Sequence, residues 1–211
     1  MPSKITRSGT SFRGFIPSVK SPPSVPWHSW GEEGATLLLE FSPEVVHYRS
    51  AQNRQFQLGT GSHSFGYTPD YEATLRDGSI VLIEVKPALE LRRPSVANRL
   101  ALARAGLAEL GYPLYIWDEA ITGADIRRDT LRLLRPWRGR MGRDEADEVG
   151  DLVARMCPST LRGLIHLART KARALTWLAN GAAGIDLDLP FLSTAEIFVN
   201  PPEMRHAPIF A

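Results

Sequence analysis

Apolar positions recur at helical spacing first over residues 30–41, where Trp30, Leu37, Leu38 and Phe41 share one face. Ser29 is placed to cap that helix and Glu32 stands at the third position, the pattern of a capping box; Pro43 ends it. From Val45 the period shortens to that of strands. VVHYRS, RQFQLG and YTPDYEATL follow one another, with a Gly/Ser-rich turn at Gly59 to Ser64. Asp77-Gly78 then signals a hairpin, and Ile80, Val81, Leu82, Ile83 and Val85 read as a buried strand. Residues 95–110 return to helical spacing and stop at Gly111, after which YPLYIW reads as one more strand. The order is therefore α-β-β-β-α-β.

Beyond Asp118 helices dominate, at roughly 122–134, 144–156, 158–168 and 170–180, followed by a glycine turn and two short strand-like pieces. The first 28 residues are rich in Ser, Pro and basic side chains without periodicity, and predict a flexible, extended arm. The Arg/Gly/Pro stretch 135–143 is the natural linker. These boundaries give an arm (1–28), an α/β domain (29–134), a linker (135–143) and a mostly helical C-terminal domain (144–211). The fold class is α/β, a mixed central sheet flanked by helices with a small helical appendage.

Composition adds little to this picture, since 43% hydrophobic and 23% charged residues describe an ordinary globular chain. Charge distribution adds more. Net charge is only +2, yet Arg127, Arg128, Arg132, Arg135, Arg138, Arg140 and Arg143 cluster, a candidate DNA-binding stripe whose plainer reading is a solvated helix face. The one cysteine, Cys157, excludes an internal disulfide and is expected to be a small buried or half-buried side chain. No apolar run approaches the length of a membrane span and no signal peptide is recognisable, so an intracellular location is expected.

The chemistry concentrates in Tyr67-Thr68-Pro69-Asp70 and Glu84-Val85-Lys86 on neighbouring strands. Glu84 and Lys86, two apart on a strand, point to the same face, and the hairpin brings Asp70 beside them. Two carboxylates supply hard oxygen ligands for Mg²⁺, with Mn²⁺ as substitute, while a lysine can position or help deprotonate a water and stabilise phosphate charge. A Glu-x-Lys pair alone is common on the polar side of a half-exposed strand; the added Pro-Asp and an upstream helical acid, Glu32 or Glu33, make a metal site the better reading. Both helical acids also suit the helix N-terminus for dipole reasons. The five histidines, His28, His47, His63, His166 and His206, lack zinc-binding spacing, and Gly59-Thr60-Gly61-Ser62 lacks the lysine and helix of a nucleotide-binding loop. Trp117, Trp137 and Trp177 read as packing residues, with Trp137 among arginines a candidate DNA contact.

Taken together, Ser29-Trp30-Gly31-Glu32, Leu37 to Pro43, Val46, Gln52, Tyr67 to Asp70, Asp77-Gly78 and Ile83 to Lys86 resemble the nuclease domain of TnsA-like endonuclease subunits of heteromeric transposases, within the PD-(D/E)xK, restriction-endonuclease-like superfamily. The likeness covers about residues 29–134. It implies a restriction-endonuclease-like core, with Glu32, Asp70, Glu84 and Lys86 as catalytic residues and the three acids as Mg²⁺ ligands. Gly31 departs from the family's leucine, which leaves Glu33 open as the helical acid. The resemblance further implies cleavage of one strand at double-stranded transposon ends beside a DDE-type transposase and an ATPase regulator. It also implies a bacterial, cytoplasmic, nucleoid-associated setting and a winged-helix-like C-terminal domain. A stand-alone restriction or repair nuclease on the same core, and a catalytically silent DNA-binding assembly subunit, are the alternatives.

Overall fold

The computed structural model describes residues 13–21, 24–123 and 125–198. They divide into two compact units: the first runs to Glu40 and resumes over Glu44–Thr122, and the second takes Phe41–Pro43 and continues from Gly123. The elements of the first part of the chain are β1 (Gly14–Ile16), β2 (Val25–Trp27), α1 (Trp30–Phe41), β3 (Val45–Ser50), β4 (Phe56–Leu58), β5 (Phe65–Tyr67), β6 (Tyr71–Leu75), β7 (Ile80–Val85), α2 (Ala88–Leu91), α3 (Pro94–Glu109), β8 (Leu114–Trp117) and α4 (Glu119–Thr122).

The central sheet of this unit is mixed and four-stranded in the order β3-β6-β7-β8, with β7 and β8 parallel and the other pairs antiparallel. β7 is apolar on both sides of the pleat because both faces are covered, as expected of an inner strand. On one face Leu82 and Leu114 meet Leu100, Ala103 and Leu107 of α3, together with Phe56, Leu58 and Tyr67 from the separate β4–β5 hairpin. Each leucine of this cluster, and Phe56, contributes about 1.5–3 kcal/mol through burial. On the other face lies α1. The Tyr71 hydroxyl donates to the Glu32 carbonyl at 3.2 Å and accepts from the Thr36 hydroxyl at 3.0 Å, fixing the start of α1 over β6.

The N-terminal stretch differs from the expected arm. Residues 14–16 and 25–27 pair as an antiparallel hairpin whose Ile16 and Val25 are buried. The turn beyond β1 is held by Glu40, itself 1% exposed, which accepts from Val19 N–H at 3.2 Å, from the Ser18 hydroxyl, and from Tyr48 O–H at 3.0 Å. A buried carboxylate must be satisfied, and the polar side chains that made this stretch look unstructured are what satisfy it. Residues 1–12 lie outside the described residues.

The second unit contains α5 (Asp125–Leu134), α6 (Arg143–Met156), α7 (Leu161–Ala168), α8 (Lys171–Ala179) and the short antiparallel pair β9 (Gly184–Ile185) and β10 (Ile197–Phe198). Thr160 and Thr170 cap α7 and α8, each accepting a backbone N–H at 3.2 Å. Leu131, Leu134, Val153, Leu164, Leu175 and Trp177 are among its buried apolar side chains. Cys157 is exposed, contrary to expectation, because it terminates α6 in the left-handed conformation (φ 45°) directly before Pro158.

Two substitutions test these local constraints. A Cβ at Gly34 of α1 would sit 2.4 Å from the Thr122 carbonyl of α4, so Gly34→Ala is expected to lower stability by about 1–3 kcal/mol in urea denaturation. Cys157→Gly relieves the left-handed strain and is expected to raise stability by about 0.5–1 kcal/mol, a small upward shift of the melting midpoint.

Candidate active site

Asp70 immediately precedes β6, and its backbone is already in register: Asp70 N–H donates to the Ile83 carbonyl at 3.0 Å and Ala51 N–H donates to the Asp70 carbonyl at 2.9 Å. Pro69 ahead of it has no N–H to contribute to a ladder, which suits a residue at the entry to a strand. The side chain turns across the strand gap, where Oδ2 accepts from Val85 N–H at 2.8 Å. The register therefore sets Asp70 opposite Glu84, with its side chain on the Val85 amide.

Glu84 is 5% exposed within an apolar strand. Its two oxygens are both engaged, Oε1 by Lys86 Nζ at 2.7 Å and Oε2 by the Tyr67 hydroxyl at 2.9 Å. Tyr67 comes from β5 beneath α3, and burial followed by the charge of Glu84 pushes its hydroxyl well above the ordinary phenol value. Burial lowers the Lys86 ammonium, but the hydrogen bond and charge of Glu84, with Asp70 and Glu90, outweigh it and raise the group above its usual value. Lys86 is thus a fixed cation at neutral pH. It can hold anionic oxygen, not remove a proton.

Burial also raises Asp70, the neighbouring charge of Glu84 raises it further, and the Val85 N–H and Lys86 pull it partly back; the carboxyl arrives at about 7. Glu32 contributes a smaller push in the same direction, which brings the helical acid into the electrostatic field of the site. Its own oxygens serve the helix start: Oε2 accepts from His28 N–H at 2.8 Å, and Oε1 accepts from the Ser29 hydroxyl at 3.3 Å, while Glu32 N–H donates to Ser29 Oγ at 3.1 Å. Gln52 Nε2 lies 3.0 Å from His28 Nδ1, so both residues join the network around Glu32. Glu33 is buried, 8% exposed, on the same helix.

Asp70, Glu84 and Lys86 are thus brought together, with Glu32 nearby but committed to the cap. Among the described residues no three His, Cys, Asp or Glu side chains converge as a metal-holding group. The donor chemistry nevertheless suits a small hard divalent cation: two repelling carboxylates, one at the edge of solvent and poised between protonated and ionised forms, with no sulfur or imidazole between them. Tyr67 and His28 had no assigned role from the sequence. Only their neighbours' spacing could have pointed to them.

The arginine stripe is mostly turned inward on its own unit. Arg127 forms a two-pronged pair with Asp188 (Nε–Oδ1 and Nη2–Oδ2, both 2.7 Å), Arg128 pairs with Asp125, and Arg132 with Asp129 at 3.1 Å. Arg138 donates to the Ala179 carbonyl at 3.0 Å and lies over the Phe41 ring, and Arg140 stacks on Trp137 at 4.8 Å. Arg135 is half-buried, and the Arg143 side chain lies outside the described residues. Trp117 and Trp177 are buried, as packing residues should be. No family model and no curated protein matches the chain.

The raised Asp70 carboxyl sets a pH dependence. Between about 4, the ordinary aspartate value, and about 7 the folded protein retains a proton that the unfolded chain has lost, so stability falls as pH rises through that window and levels off above it. Melting curves of metal-free wild type and Asp70→Asn from pH 4 to 8 should diverge in this direction, the wild type losing stability relative to the variant. Parallel curves would contradict the burial and charge assigned to Asp70.

Proposed function

We propose that the chain is a divalent-metal-dependent DNA endonuclease of the PD-(D/E)xK type, acting as a TnsA-like subunit that cuts one strand at transposon ends. The observation that carries the reading is the convergence of Asp70, Glu84 and Lys86 across two adjacent strands, one carboxylate locked to the Val85 amide and the other to the lysine. The mixed sheet with a helix on either face agrees with a restriction-endonuclease-like core. The capped α7–α8 pair followed by the β9–β10 hairpin agrees with a winged-helix-like module for a DDE-type transposase or an ATPase regulator.

Asp70 and Glu84 would hold Mg²⁺ or Mn²⁺, with Glu32 reaching the site once its cap bonds exchange. When bound, the cation supplies Lewis-acid polarisation of the phosphate and a more acidic water. The protein's own parts divide the remaining work. Lys86, the cation beside Glu84, would neutralise charge on the phosphate oxygens. Tyr67 keeps Glu84 in one rotamer by a hydrogen bond from beneath, and the Val85 amide does the same for Asp70.

A second reading rests on a specific feature: Glu84 and Glu32 are each satisfied by protein donors, as in a purely structural cluster of a silent assembly subunit. Cleavage separates the two. With Mg²⁺, transposon-end DNA and the partner transposase, Asp70→Asn and Glu84→Gln should each lower cutting at least about 100-fold, an effect sized for loss of a metal ligand, while circular dichroism and DNA binding stay near wild type. Undiminished cutting by either variant would exclude the site.

A further inference from the structure

The stretch from Lys86 to Ala108 carries five cations, Lys86, Arg92, Arg93, Arg99 and Arg104, against the single carboxylate of Glu90. It begins at the proposed site, since Lys86 closes β7, and continues through the short α2 into α3. Arg92, Arg93 and Arg99 are exposed. Arg92 and Arg93 make no side-chain hydrogen bond or ion pair with the described residues, in contrast to the aspartate-paired Arg127, Arg128 and Arg132. Arg99 Nη2 reaches the Gly66 carbonyl at 3.3 Å, one residue before Tyr67, and its charge is felt at the Tyr67 hydroxyl that supports Glu84. The apolar side of the same helix, Leu100, Ala103 and Leu107, is sunk in the core, so these guanidinium groups stand on a rigid support.

We infer that Arg92, Arg93 and Arg99, on the α2–α3 connection and the first turns of α3, form the track for the phosphodiester backbone of duplex DNA as it enters the site at Asp70, Glu84 and Lys86. The inference rests on the nuclease reading above and names the surface that delivers its substrate. The physical basis is charge complementarity. Guanidinium groups with no carboxylate neighbour retain their attraction for phosphate, whereas those already bridged to aspartates must break those pairs first. Exposed arginines cost folding nothing when left solvated, and planar forks engage phosphate oxygens in pairs. Because the contacts are to backbone, the track orients DNA without reading its sequence.

The test is binding of a fluorescein-labelled duplex by full-length protein in EDTA, followed by anisotropy across a salt series. It compares wild type with the triple variant Arg92→Gln/Arg93→Gln/Arg99→Gln and with Arg162→Gln/Arg169→Gln/Arg173→Gln, which removes three exposed arginines of the second unit. Loss of three phosphate contacts predicts that the slope of log K against log salt becomes shallower by about 2–3, with affinity at low salt falling about tenfold or more. The second-unit triple variant should keep the wild-type slope. Melting curves show whether each variant is folded, and single substitutions at Arg92 and Arg93, neither of which has a side-chain partner among the described residues, repeat the test if the triple does not fold. Wild-type binding with an unchanged slope in the α2–α3 variant overturns the track; Asp70-dependent cleavage in the same preparation would then leave the nuclease reading standing. No duplex binding by wild type, with retention of polyglutamate lost in the α2–α3 variant, overturns the track in favour of an acidic protein partner.

Discussion

One hydrogen bond organises the candidate site: the Asp70 carboxylate accepting from the Val85 amide at 2.8 Å. It is a side-chain bond made at the point where the β6–β7 ladder ends, so the register of the sheet and the position of the acid are one fact. Tyr71 pairs with Ile83, Asp70 bonds back to Ile83, and the next free amide on β7 is the one its side chain takes. A slip of one residue would turn Glu84 and Lys86 to the face covered by α1 and leave Asp70 opposite nothing. The alternation that sinks Leu82 beneath α3 is the same alternation that aims Glu84 at Tyr67.

The second constraint is electrostatic. A carboxylate at 5% exposure costs several kcal/mol unless its charge is met, and here a lysine and a tyrosine meet it from two sides. Asp70 is raised first by burial and then by the charge of Glu84, which the Val85 amide and Lys86 offset only in part. A divalent cation between the two acids would relieve that repulsion and free Lys86 for another anion. The same repulsion between Asp70 and Glu84 is what makes the pair suited to the cation proposed above. Glu32 is balanced differently, between closing the start of α1 and serving the site.

Much of this was legible in the sequence. The helix at 30–41, the strand at 80–85 and the helix ending before Gly111 follow from period, caps and a glycine stop, and the structure places them within a residue or two. Asp70, Glu84 and Lys86 were found by spacing because strand alternation and hairpin geometry are local rules. What stayed hidden was set by long-range partners. The N-terminal hairpin depends on Glu40, more than twenty residues away, and nothing in a Ser/Pro-rich stretch announces a buried acceptor. The Arg127 to Arg143 cluster looked like free charge since Asp188 lies far along the chain, whereas the cations of α2 and α3 are spaced too widely to register as a run.

Whether Asp70 and Glu84 share a cation, as proposed, is decided by calorimetric titration of Mn²⁺ into duplex-bound protein. Wild type should bind Mn²⁺ and release close to one proton per ion near pH 6, as the raised Asp70 carboxyl ionises, while Asp70→Asn loses both the heat of binding and the proton. Equal Mn²⁺ binding by the two proteins, or none by the wild type with DNA in place, would contradict it.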